Sequence, residues 1–374
     1  MTKAARLRAR LVHELIDGDV LHDPHWIDAF RAVPRHLFLP RFFLAVTGDR
    51  WTAVEQGDEG WLEQACSTAV LVTQLDDDPG RWELARREGP VPGTPTSSSS
   101  MPSIMATMLE QLRVADGHRV LEIGTGTGYN AALLCHRLGS GLVSTVDIDP
   151  VLAESAKRRL SASGYAPSCA VGDGAEGFPA GVLYDRVLCT CSVSVVPTAW
   201  LEQTLPGGLI VTTLNRPLGA GLIRIVAGEG ASGQGRVLPH DGRFMPLRAH
   251  RATPPVAPEA GEAEWRSTSL PLNVVVEPRS TFEFFAGLAL PGVAPLRHEG
   301  ALMLTHPDGS WTRHQTGEVA QGGPRRLWDV AERAYLEWTS LGKPGRERFG
   351  LTIGGPDQVF WLDSPDGRQW PLGG

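Results

Sequence analysis

The amino-acid sequence predicts an α/β protein: a parallel sheet covered by helices on both faces and finished by an antiparallel end strand, followed by a smaller C-terminal α+β domain. Three observations carry this expectation. Between Val120 and Leu214 apolar runs alternate with helical patterns about every 25 residues, the rhythm of strands joined by crossover helices. The run VLEIGTGTGY, Val120 to Tyr129, joins a strand to a helix through three glycines. After the PGG at Pro206 to Gly208 the pattern changes to hairpins, Leu209 to Leu214 and Leu222 to Ala227, with the turn GEGASGQG before Arg236 to Leu238.

Composition bounds the class. A chain of 374 residues suits one domain of ordinary size plus a smaller one. Its 42% hydrophobic and 21% charged residues are those of a soluble globular protein. No apolar run reaches membrane-spanning length, and MTKAARLRARLVHEL reads as a basic amphipathic helix rather than a signal peptide, so a cytoplasmic protein without a membrane partner is expected. A net charge of −7 argues against nucleic acid, whose phosphates need a basic face. The five cysteines form no CxxC pair and are odd in number, which suggests neither zinc nor a disulfide framework. Cys189 and Cys191 lie two apart on an apolar strand and read as buried small hydrophobes, while His22 and His25 read as surface residues, so no metal site is expected.

Along the chain, residues 1–75 read as an N-terminal, substrate-side segment, helical to about residue 45, with the helix stopped by prolines in AVPRHLFLP, Ala32 to Pro40. Residues 76–99, rich in Pro, Gly, Ser and charge, read as a flexible loop: a lid or a solvated insertion. Residues 100–250 form the cofactor domain, opened by a helix with Ser100 as N-cap and Pro102 in its first turn. Residues 251–264 form a Pro- and Ala-rich linker. In 265–374 we expect strands at Asn273–Glu277, Phe282–Ala289 and Ala301–His306, a turn at Pro307–Ser310, a helix with Leu327, Val330, Ala331, Ala334, Tyr335 and Trp338 on one face, and a hairpin from Arg348–Ile353 to Val359–Leu362. Arg346 and Arg348 are either anion contacts for an acidic peptide or part of a solvated turn, and Trp311, Trp338 and Trp361 read as core.

The glycine turn also narrows the cofactor. A dinucleotide fingerprint GxGxxG wants its third glycine where this chain has Tyr129, and the spacing here is GxGxG. Glu122 beside the turn repels phosphate and attracts a sulfonium centre, which favours S-adenosylmethionine over NAD. Asp147, 19 residues after Gly128, is placed to accept hydrogen bonds from both ribose hydroxyls, and Asp173 ends an apolar segment where it can take the adenine amino group. Asp149, just before Pro150, reads as a helix N-cap instead.

On these residues the chain resembles the protein-L-isoaspartate O-methyltransferase family. The resemblance runs through AVPRHLFLP, the SxPxxxA pattern SMPSIMA at Ser100 to Ala106, VLEIGTGTGYNAALL, VDIDP, VGDGAEGFP, YDRV at Tyr184 to Val187, LPGG at Leu205 to Gly208 and GRFMPL at Gly242 to Leu247, and so spans roughly residues 10 to 248. It implies a Rossmann-like, class I methyltransferase. Carried over by position, Glu122, Gly124, Gly126, Asp147 and Asp173 hold the cofactor, with Thr125, Gly128, Tyr129, Ile148 and Gly174 beside them, and Ser100 sits at the transfer site.

Two departures mark the chain. Ser103 stands where repairing members usually carry a His, after a loop that is expanded and acidic, and the chain adds about 125 residues beyond GRFMPL. That architecture resembles the extended relatives associated with lanthipeptide- or graspetide-type precursor peptides, which methylate an aspartate and drive aspartimide formation. The resemblance thus implies an aspartyl or isoaspartyl carboxylate of a protein or precursor peptide as substrate, with general isoaspartate repair as the alternative and a non-catalytic, cofactor-binding adaptor as the reading from another class. Such a carboxylate is ionised at neutral pH and needs no general base. Ser100 either orients it with one hydrogen bond or simply caps the helix.

Overall fold

The computed structural model describes all residues except 1, 47–48, 180, 215, 252–263, 299–300, 355–356 and 373–374. The described residues fall into two compact units, one of residues 1–191, 199–212 and 226–230, the other of 192–198, 213–225 and 231–374.

The first unit opens with two helices, α1 (Lys3–Asp17) and α2 (Pro24–Ala32). Thr2 caps α1 by accepting from the Ala5 amide, and Leu11, Val12 and Leu15 form its buried stripe. Asp23 caps α2 with Pro24 at its first position, and Pro34 separates α2 from a 3-10 turn at Arg35–Phe38. A strand begins at Arg41, so the expected helical stretch ends earlier than residue 45. Strands β1 (Arg41–Ala45), β2 (Arg50–Glu55), β3 (Leu71–Leu75), β4 (Val91–Pro92) and β5 (Pro95–Ser99) make an antiparallel sheet in the order β4-β2-β1-β3-β5, with helices α3 (Trp61–Ala65) and α4 (Gly80–Glu88) between them.

Strand alternation explains this sheet's two cores. Phe42 and Leu71 point to one face, against Trp61 and Ala65 of α3. Phe43 and Val72 point to the other, against Trp82 and Ala85 of α4. Residues 76–99 therefore carry a helix and two strands rather than the loop expected from their composition. Burial of Trp82 and Ala85 outweighs the weak local propensities of a Pro-, Gly- and Ser-rich stretch.

The rest of the unit carries α5 (Pro102–Leu112), β6 (Val120–Ile123), α6 (Tyr129–Leu138), β7 (Val143–Asp147), α7 (Pro150–Ala162), β8 (Ser168–Val171), β9 (Tyr184–Val193), α8 (Thr198–Glu202) and β10 (Thr204–Leu214). The order β8-β7-β6-β9-β10, with β6 parallel to β7 and β9 and β7 parallel to β8, is the α/β sheet that the alternation predicts. Every residue of β6 is buried, as a strand flanked on both sides and covered on both faces must be.

The second unit contains β11 (Gly221–Ala227), β12 (Ser232–Val237), β13 (Trp265–Ser267), α9 (Leu272–Val276), α10 (Glu283–Ala289), β14 (Ala294–His298), β15 (Ala301–Thr305), β16 (Trp311–Gln315), β17 (Glu318–Gly322), α11 (Leu327–Ser340), β18 (Phe349–Gly354), β19 (Asp357–Leu362) and β20 (Gln369–Pro371). Strands run β11-β12-β18-β19-β20 and, separately, β13-β17-β16-β15-β14. The turn expected over GEGASGQG is shorter than its composition suggests, since β12 already starts at Ser232. Helix α11 and the closing hairpin fall where expected, and Trp311, Trp338 and Trp361 are buried. Two expected strands are helices: LNVVV forms α9 and EFFAGLA forms α10. Short apolar runs without alternation fit either state, and here Phe282 stacks on Phe285 and meets Tyr335 and Trp338 of α11, which a strand's alternating faces would not allow. Apart from Arg251 and Glu264, the expected linker 251–264 lies outside the described residues.

Candidate active site

Parallel pairing brings the carboxyl ends of four strands to one edge. Ile123 lies opposite Val146 and Cys189, and Asp147 opposite Val171, so Gly124, Asp147, Gly172–Asp173 and Thr190–Cys191 follow one another there. In open α/β sheets ligands bind at this edge.

Gly124 has φ +94°, and a Cβ added there would sit 2.9 Å from both Cys191 Sγ and Thr190 Oγ1. Gly126, at φ +52°, lies under β5: its missing Cβ would be 3.6 Å from the Ser98 carbonyl. The turn is held from beneath by the Gly124 amide to Val146 O (2.9 Å), and Thr190 Oγ1 donates to Gly124 O at 2.9 Å. What results is a main-chain cradle in which only glycine fits at position 124.

Asp147 braces that cradle and faces it. Its Oδ2 accepts from the Gly126 amide at 2.8 Å and its Oδ1 from the Asp149 amide at 3.0 Å. Both bonds hold the carboxylate at the end of β7, beside the glycine turn. Asp149 is the N-cap of α7, accepting from Val151 and Leu152 amides at 2.9 and 3.2 Å, and also takes Gln74 Nε2 at 2.9 Å. Half-buried Ile148 lies between the two aspartates. Asp173 opens a 3-10 turn by accepting from the Ala175 amide at 2.9 Å, and buried Gly174 is fixed through Trp200 Nε1 on its carbonyl at 2.7 Å.

Three residues expected at the cofactor, Glu122, Thr125 and Tyr129, turn their side chains inward, and Gly128 packs on α7. Glu122 has no exposed surface. Its Oε1 accepts from Asn130 Nδ2 at 2.7 Å and its Oε2 from Thr145 Oγ1 at 2.6 Å, and burial pushes its pKa up to about 7. A side chain without accessible area does not touch a ligand, so Glu122 positions β6, β7 and α6. Thr125 is buried, with its hydroxyl 2.6 Å from that of Thr145. Gly128 leaves room for Ala156 and Leu160 of α7, 3.2 and 3.3 Å from its absent Cβ. Tyr129 packs its ring against Phe30 and Phe38, and burial raises its hydroxyl pKa. Period and spacing place these residues near the turn, but the strand and helix faces they occupy point into the core.

Ser100 is not a helix cap. Helix α5 starts at Pro102 with Met101 as N-cap and no side-chain capping bond, so the expected capping role is corrected. A residue that sequence reasoning passed over holds Ser100 in place. Arg35, from AVPRHLFLP, is buried with no carboxylate partner among the described residues and spends its guanidinium on oxygens: Ser67 O at 2.7 Å, Ala69 O at 2.9 Å, Ser100 O at 3.2 Å and Ser99 Oγ at 3.3 Å. Burial lowers its pKa to about 10. A charged residue inside an otherwise apolar, Pro-bounded motif was the available signal. In the second unit the two expected anion contacts are already engaged: Arg346 with Asp241 at 3.1 Å and near buried Glu283 at 3.8 Å, Arg348 with Asp363 at 2.7 Å.

A model of the Protein-L-isoaspartate(D-aspartate) O-methyltransferase family matches residues 87–241. The protein-L-isoaspartate O-methyltransferase of Methylorubrum extorquens is 31% identical over 221 residues, 59% of this chain and 79% of that one. The chain belongs to the protein-L-isoaspartate O-methyltransferase family. Its members are S-adenosylmethionine-dependent carboxyl methyltransferases, and the edge described above fits that cofactor: a glycine-rich turn with two carboxylates, Asp147 and Asp173, beyond it. The enzyme of the same name from Ignicoccus hospitalis is 38% identical over 130 residues, 34% of this chain. The chain spans 62% of that relative's length, just under two thirds. A solved protein-L-isoaspartate O-methyltransferase shares the fold, with a TM-score of 0.53 at 22% identity, covering 96% of this chain and 100% of the other.

Proposed function

We propose that this protein methylates a side-chain carboxylate, aspartyl or isoaspartyl, in a protein or peptide, and that its substrate is a ribosomal precursor peptide rather than the general pool of damaged proteins. The observation that carries the reaction is the glycine turn at Gly124 and Gly126, set at the carboxyl edge of the parallel strands and flanked by Asp147 and Asp173. The case for a precursor peptide rests on Ser103 in place of histidine and on the additional unit beyond the matched region.

S-adenosylmethionine, when bound, supplies a methyl group on a sulfonium. Asp147 takes the ribose hydroxyls, Ile148 and the Asp173–Gly174 turn take the adenine, and Gly124 and Gly126 let the main chain approach. Ser100 donates to one carboxylate oxygen of the substrate and leaves the other free to attack, with Arg35 fixing the segment from which it reaches. The substrate carboxylate is already ionised at neutral pH, so this chain's residues orient it and exclude water rather than remove a proton. The ester then invites the neighbouring backbone amide: nitrogen bonds to the ester carbonyl, the carbon–oxygen bond to the methoxy group breaks, and methanol leaves as a succinimide forms. That closure needs no residue of the protein. A cytoplasmic location belongs to the same reading, since all five cysteines are free thiols, as in a reducing compartment.

The test offers the protein isoaspartyl peptides and an acidic precursor peptide in parallel with cofactor, and follows base-labile methyl incorporation by mass spectrometry. Incorporation into the precursor supports the proposal. Labelling of isoaspartyl peptides alone overturns the precursor assignment, and no labelling of either overturns the activity.

A further inference from the structure

A cleft in the first unit shares Gly126 with the cradle but is lined by none of Ser100, Gly124, Asp147 or Asp173. It reaches Gly126 and Thr127 from the side of α7, and its other walls come from β1, β3 and α4. Arg159 of α7 and Arg41 of β1 both line it, with a single carboxylate, that of Asp78, whose Oδ1 already accepts the Gly80 amide at 2.8 Å.

Arg159 is the unusual member. It is partly buried, yet its hydrogen bond is a long one to Thr127 O at 3.5 Å, and no carboxylate among the described residues pairs with it. Arg41 and Arg158 act on it as like charges, and burial with this repulsion lowers its pKa to about 10. A desolvated cation without a counter-ion is costly unless a ligand supplies one. Arg41, half-exposed over the Trp82 ring at 5.2 Å, is only at the margin of contact with Glu83, at 3.9 Å. Thr73 and Gln74 also line the cleft but are engaged with Ser97, Asp149 and Thr96, so what it offers a ligand is two forked donors.

We propose that this cleft is an anion subsite in which Arg159 and Arg41 receive a second carboxylate of the peptide substrate, distinct from the one that is methylated. The inference rests on the peptide-methylation reading above. β5 joins the two places: Ser97 hydrogen-bonds Thr73 of the cleft at 3.0 Å, and the strand ends at Ser99, next to Ser100. A peptide with its reactive aspartate at Ser100 and another acidic residue a short distance along the chain engages both.

Fluorescence anisotropy of labelled tetraglutamate and tetraglutamine peptides, at low salt with the full chain, tests the subsite without any methyl transfer. Tetraglutamate should bind about tenfold more tightly, a typical effect of one charge-assisted pair. Arg159→Gln and Arg41→Gln should each reduce that preference severalfold, and Arg159→Lys should keep part of it. Affinity for S-adenosylhomocysteine should be unchanged in all three variants. Equal binding of the two peptides, loss of cofactor affinity in Arg159→Gln, or full displacement of tetraglutamate by an equal concentration of inorganic phosphate overturns the proposal. If the glutamate preference holds and no peptide is methylated, the subsite stands and the proposed reaction falls.

Discussion

Glu122 makes the stability of the cradle depend on pH. Burial holds its folded pKa near 7, above the 4.5 of an exposed glutamate. A raised folded pKa gives stability that is complete below about 4.5 and is lost as pH rises through about 7, because the unfolded chain releases the proton first. Glu122→Gln keeps the acceptor for Asn130 and removes the titration. Relative to wild type, the variant should gain on the order of 2 kcal/mol between pH 5 and pH 8, read from urea unfolding at each pH. A difference that does not vary with pH would refute the assignment. At Asp147 the effect is on binding: Asp147→Ala frees the Gly126 and Asp149 amides along with the ribose contact, and should weaken S-adenosylhomocysteine binding in calorimetry by at least about tenfold. Arg35→Lys tests the support of Ser100. An ammonium cannot reach the separate oxygens spanned by the guanidinium, so a loss of about 2–4 kcal/mol in stability is expected, with a drop in methyl transfer beyond that explained by the folded fraction. Of these residues, the strand-end position of Asp147 and the capping role of Asp149 were legible from spacing alone, because the end of an apolar run and a following Pro mark them. Glu122 and Tyr129 were not, since a position in a motif does not say which face of the strand or helix is buried.

At the scale of elements, the antiparallel sheet of residues 41–99 is the least legible part of the chain. RFFLA has no apolar–polar alternation because both of its faces are covered, Phe42 by α3 and Phe43 by α4. Residues 76–99 look loop-like, yet Trp82 packs edge-on against Phe43 at 5.3 Å. Trp82→Ala should therefore cost about 3–5 kcal/mol in urea unfolding, as for a large buried aromatic, and amides 84–89 should resist hydrogen exchange in the native protein. Exchange as fast as in an open loop would return the segment to its expected state. The same ambiguity hid α9 and α10, whose short apolar runs fit strand or helix until Phe282 finds the aromatic side chains of α11. By contrast, α7 and α11 were readable because a cap or a long amphipathic stripe is a local signal.

For the molecule as a whole, the thiols report on packing. Cys66, Cys135 and Cys189 are buried; burial pushes the Cys135 thiol up to about 12, and the hydrogen bond with Cys189, together with burial, raises that of Cys191. Ellman's reagent should find five thiols in denaturant and at most the two half-buried ones, Cys169 and Cys191, reacting readily in the native protein. Fewer than five after denaturation would reveal a disulfide. The sequence by itself determined the parallel sheet, the glycine turn, the strand-end and capping aspartates and the family, because each is written in local spacing: three glycines, a strand-end acid, a Pro after a cap. Only the tertiary structure decided that Glu122 and Tyr129 face inward, that Arg35 holds Ser100, and that Arg41 and Arg159 share a cleft. Those outcomes depend on which faces meet across distant parts of the chain, and burial between such faces overrides the propensity of any one segment.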